Sequence, residues 1–170
     1  MEPKRKSFRD KDEGAVVFAT QRKGLAASFM SHVKNPDDYP DISVINRKPV
    51  VLIPKKKEFL KNDTGGAIYK LRKSKSFHRD HPKSYHFGVF EWITRRKVKP
   101  IEKKVYDSSI DAMIDNGAIV YFVTKKQQKD FRKLANEKEP SENSKLRSFF
   151  NKLTSENEKR GKLKKKKWWK

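Results

Sequence analysis

The 170-residue chain sets 43 Lys and Arg against 21 Asp and Glu, for a formal net charge of +22, and has no cysteine, which excludes disulfides, thiol catalysis and Cys-built zinc or iron–sulfur centres. Hydrophobic residues make up 34% and charged residues 38%, but 11 Phe and 3 Trp are more aromatic surface than a wholly disordered chain carries, so a folded centre between polar ends is expected. No apolar run approaches the roughly 20 residues of a membrane span, and no apolar segment follows the opening charges MEPKRKSFRDKDEG, so the sequence predicts a protein that is not secreted but cytoplasmic or nucleoid-associated.

Residues 1–13 alternate basic and acidic side chains and are expected to be a disordered charged arm. Gly14 opens AVVFAT, a β-branched and aromatic run that reads as a buried strand. From Arg22 to Val33 the positions Leu25, Ala26, Phe29, Met30 and Val33 recur at helical spacing, and Asn35-Pro36 stops that helix. After the acidic loop of Asp37, Asp38 and Asp41, the runs ISVIN and PVVLIP predict a hairpin around Asn46-Arg47-Lys48. Glu58, Phe59 and Leu60 can form a helical turn, and the residues up to Gly65-Gly66 form a loop.

The next two runs, AIYKLRK from Ala67 and YHFGVFEWI from Tyr85, predict two strands joined by a basic, His-bearing loop. In VKPIEKKVY, Pro100 argues for a connection or an edge strand. Ser108-x-x-Asp111 resembles a capping box for a helix that Asn116-Gly117 ends. Ala118 to Val123, AIVYFV, is the most hydrophobic run and is expected at the centre of its sheet. Thr124 can cap the following helix, with Phe131, Leu134 and Ala135 inward. Leu146, Phe149, Phe150 and Leu153 form an i, i+3, i+4, i+7 stripe on a last helix. The expected fold is α+β: a single domain over 14–157 with a mixed or antiparallel sheet of five to seven strands and three or four helices. A basic Lys/Trp tail, 158–170, follows it, and both termini are disordered.

The charge is uneven, with +9 in residues 61–105 and +8 in 141–170. A surplus of this size disfavours a compact state unless a polyanion neutralises it, so nucleic acid is the expected partner. The candidate backbone contacts are Lys70, Arg72, Lys73, Lys75 and Arg79 before the second aromatic run, and Arg95, Arg96 and Lys97 after it. Tyr69, His86, Phe90 and Trp92 are candidates for stacking on bases. In the tail, Lys164, Lys165, Lys166 and Lys167 would release counterions, and Trp168 and Trp169 would stack or enter a partner's groove.

These residues predict a non-enzymatic nucleic-acid-binding protein, DNA rather than RNA, acting through phosphate contacts with weak sequence preference. Such basicity in a small cysteine-free chain suits a phage or plasmid factor acting on host DNA or transcription. One alternative is a small nuclease or toxin-like ribonuclease using His78, His81 or His86 with Asp80 or another acid, since an imidazole titrates near neutrality and a carboxylate can orient it. Another is an interaction protein docking on an acidic protein surface. With no GxGxxG run and no Walker-type loop, and no second pair of zinc ligands beside His78 and His81, no cofactor and no bound metal are expected.

Overall fold

The computed structural model describes residues 4–5, 15–31, 33, 38–45, 48–79, 91–135 and 144–159. They form an α+β structure with β1 (Lys4–Arg5), β2 (Ala15–Thr20), α1 (Lys23–Ser28), β3 (Asp41–Ile45), β4 (Lys48–Pro54), α2 (Lys56–Asn62) and β5 (Gly66–Leu71). Then come β6 (His78–Arg79), β7 (Glu91–Thr94), β8 (Pro100–Tyr106), α3 (Ser109–Asp115), β9 (Ile119–Val123), α4 (Lys125–Ala135) and α5 (Ser144–Lys159). Among the described residues no helix is long and apolar enough to cross a membrane.

The core is organised on β4. Val50, Val51, Leu52, Ile53 and Pro54 are all buried, the near-continuous apolar run of a strand covered on both faces. Because side chains alternate along a strand, Val51 and Ile53 enter one cluster with Ala27, Met30, Phe59, Ile110 and Met113. Val50 and Leu52 enter the other, with Phe131, Leu146, Phe150 and Leu153. Full burial of a side chain such as Leu52 contributes about 1.5–3 kcal/mol. α4 and α5 close the second cluster through an aromatic group in which Phe150 stands 5.9 Å edge-on to Phe131 and 5.4 Å edge-on to Phe149.

The single sheet of five to seven strands is not what forms, and the expected three or four helices become five among the described residues. The strands divide into a sheet ordered β1-β2-β7-β6, a sheet ordered β3-β4-β9 and a two-stranded ribbon of β5 and β8. β9 is an edge strand of its sheet, pairing parallel with β4. Its hydrophobicity reflects cover on both faces, Val120 and Phe122 lying against one cluster and Ile119 and Tyr121 against the other. Within the arm expected to be disordered, Lys4 and Arg5 pair with Val16 and Ala15.

The caps follow local chemistry. Ser108 Oγ accepts from the Asp111 N–H at 3.3 Å, and Thr124 Oγ1 accepts from the Gln127 N–H at 3.2 Å. Asp63 adds a longer-range cap, accepting from Ser108 Oγ at 2.8 Å, from the Ser109 N–H at 2.8 Å and from the Gly65 N–H at 3.2 Å. Burial alone would raise the Asp63 carboxyl, but the hydrogen bonds from Ser109, Ser108 and Gly65 outweigh it and hold the group below its ordinary value. Gly65, at φ +66°, is where the chain turns from this cap into the ribbon, and a Cβ there would run into the Tyr106 carbonyl oxygen.

Candidate nucleic-acid interface

The two strands expected to pair with each other through a His-bearing loop do not do so along their length. β5 takes β8 as its antiparallel partner, with Ala67 opposite Val105, Tyr69 opposite Lys103 and Leu71 opposite Pro100. β7 lies between β2 and β6, with Phe18 and His78 both opposite Ile93, and Ala19 and Arg79 both opposite Trp92. VKPIEKKVY therefore is an edge strand, and Pro100 sits at its first position, where a missing N–H is tolerated.

This pairing brings two distant segments together. The ribbon ends at Leu71 opposite Pro100, and the next ladder begins at His78 opposite Ile93. Residues 72–77 and 95–99 thus span the same gap in opposite directions, one leaving the ribbon and the other returning to it. One carries Arg72, Lys73 and Lys75, the other Arg95, Arg96, Lys97 and Lys99, and neither carries a carboxylate. All seven cations are exposed. Between the connectors lies a shallow depression of about 320 Å³ lined by Lys75, Ser76, His78, Thr94, Arg95 and Arg96.

Short polar side chains shape its rim. Ser74 Oγ accepts from the Ser76 N–H at 3.2 Å and the Phe77 N–H donates to the Ser74 carbonyl at 3.2 Å, turning one connector. The fully buried Thr94 accepts from the Arg96 N–H through Oγ1 at 3.1 Å, turning the other. Each turn lets successive cations project from an anchored backbone.

Arg79 stands over the Trp92 ring, 5.5 Å from its centroid, so the half-buried indole has a guanidinium on its face. Tyr69 is exposed on the outer face of the ribbon, with Lys103 Nζ 5.8 Å from its ring centroid. Of the expected stacking residues, the two that are described lie in different sheets, Tyr69 in the ribbon and Trp92 in the ladder beyond the connectors. Lys70 is paired with Glu102 at 3.3 Å, so its charge is partly balanced. His86 and Phe90 lie outside the described residues, as do Asp80, His81 and the tail from Lys164 to Trp169.

Three acids that could serve a nuclease are among the described residues, while Asp37 and Asp80 lie outside them. Asp38 is gripped by Lys125 and by Lys55, the latter at 2.9 Å, and these two ammonium groups hold its carboxyl below the ordinary value. Asp41 accepts from Arg132 Nε at 3.0 and 3.1 Å. Glu91 is buried, opposite Thr20 in the ladder. Among the described residues no group of three or more His, Cys, Asp or Glu converges as a metal site would. Lys99 and Lys103, which the sequence reasoning passed over, join the basic surface. The signal that could have found them is the edge-strand reading of VKPIEKKVY, which leaves its lysines exposed.

Comparison of the chain with protein-family models, with curated proteins and with solved structures finds no match.

Proposed function

We propose that this protein binds nucleic acid without cleaving it, DNA in preference to RNA, by laying the phosphate backbone across the two basic connectors with little regard to sequence. The observation that carries the proposal is the convergence of two segments without carboxylates, whose seven cations are exposed and of which Lys75, Arg95 and Arg96 line one shallow depression. Two segments that bring seven cations together without a carboxylate of their own repel one another, and a polyanion relieves that repulsion. Phosphate contacts set position and affinity but carry no base information, which is why sequence preference is weak.

The test is a salt titration of binding to duplex DNA and to RNA of the same sequence, with parallel incubations in Mg²⁺ and in EDTA. With six to ten phosphates engaged, affinity falls by about 10³–10⁵ between 50 and 200 mM salt, and both nucleic acids stay intact. Near-constant affinity across that range would remove the electrostatic basis of the proposal. Cleavage that EDTA abolishes would replace it with a nuclease function.

A further inference from the structure

At its end formed by residues 66–68 the ribbon turns one face to the core, while Lys70, Glu102 and Lys104 farther along that face are exposed. Ile68 and Tyr106 point into the first hydrophobic cluster. The alternate positions, in register as Tyr69 opposite Lys103 and Ala67 opposite Val105, point outward. On that outward side Tyr69 is 41% exposed and Val105 62%, and Ile101, at the bulge beside Pro100, is 53% exposed. Three large apolar side chains exposed on a two-stranded ribbon form a surface that a monomer has reason to cover.

Charge decides between the possible occupants. The patch carries Lys103 within it, 5.8 Å from the Tyr69 ring, and runs directly into the connectors at Leu71 and Pro100. A second copy of a chain with net charge +22 would bring like charge against like. An anionic partner with flat apolar groups suits both features. Tyr69 stands two residues from Leu71, about 7 Å along an extended strand, which is the axial length of about two stacked nucleotides.

We infer that the outward face of the β5–β8 ribbon is a base-stacking platform for single-stranded nucleic acid, with one base on Tyr69 and its neighbours against Ile101 and Val105, while the phosphates continue over the connectors. The inference rests on the proposed function and deepens it by naming the form of nucleic acid this face takes. Bases in a duplex are stacked on one another and unavailable to the ring, whereas every single-stranded base offers a π-face, so the platform favours single strands without reading sequence.

The experiment compares an oligothymidine of about 16 nucleotides, long enough for one such site, with an abasic oligonucleotide of equal length and charge, a duplex and poly-glutamate. The proteins are the full chain, Tyr69→Ala and Tyr69→Phe, each checked by thermal melt. One stacked base gives a preference of about 5- to 150-fold for oligothymidine over the abasic strand. Tyr69→Ala removes that preference while leaving abasic-strand and duplex affinity, the salt slope and the melt unchanged. Tyr69→Phe, which keeps the ring, retains it. Equal binding of thymidine and abasic strands by the parent protein overturns the platform and leaves the phosphate-binding function standing. A Tyr69→Ala protein that loses affinity for every polyanion together with its melt shows a structural role and also overturns it. Failure of the parent to bind any oligonucleotide, or tighter binding of poly-glutamate, overturns both.

Discussion

Replacing Lys75, Arg95 and Arg96 together by Gln tests whether the connectors are the phosphate site or whether the charge acts diffusely. The three side chains line one depression and are exposed, so the substitutions remove charge and leave both hydrophobic clusters intact. If each of the seven connector cations meets one phosphate, the log–log salt slope is about −6.3 at roughly 0.9 per contact, and it falls to about −3.6 with three contacts gone. Between 50 and 200 mM salt the loss of affinity then shrinks from about 6,000-fold to about 150-fold. The matched control replaces Lys126, Lys129 and Lys133 on α4, all exposed, and removes the same charge from a helix packed on β4. Fluorescence anisotropy with a labelled duplex at five or so salt concentrations measures both slopes. A slope that falls by less than one unit in the control and by two to three units in the connector variant supports the site. Equal reductions in the two variants would refute it, because the binding would then follow net charge alone.

Two further outcomes are expected. Asp63→Ala removes a cap from α3 and costs about 1–2 kcal/mol, lowering the melting temperature by about 2–8 °C. Because the Asp63 pKa is depressed in the folded protein, this contribution is present above the ordinary carboxylate range and is lost as pH falls through the folded value, so parent and variant melts converge in acid; a difference that persists there would point to packing and not to the carboxylate. Deleting residues 161–170 removes six cations and, with about half on phosphates, reduces the salt slope by about three units. The melt should not move, because among the described residues the contacts of α5 with the rest of the fold lie between Leu146 and Glu156. A collapsed melt would mean that Trp168 and Trp169 belong to the core, and an unchanged slope that they serve another partner.

Local chemistry in the sequence was enough to determine much of this protein. The stripe of Leu146, Phe149, Phe150 and Leu153 could only be one face of a helix seeking apolar cover, and it found Phe131 and Val123. Thr124 and Ser108 cap their helices because a hydroxyl at that spacing meets a free N–H whatever the rest of the chain does. The tight hairpin of β3 and β4 likewise depends on a short turn. Strand partners over long separations carry no such local signal. AIYKLRK and YHFGVFEWI were nearest in sequence and the simplest pair to expect, yet β5 joined β8, some thirty residues on, and β7 joined β2, which lies more than seventy residues before it. The run AIVYFV looked central because a strand covered on both faces and a strand with two neighbours have the same composition; tertiary packing put β4 in the middle instead. The basic residues were visible one by one, but only the register that sets Leu71 opposite Pro100 and His78 opposite Ile93 lays 72–77 beside 95–99. A charge surplus is a sum over the sequence, whereas a phosphate site is a distance between side chains, and that distance is fixed by pairing.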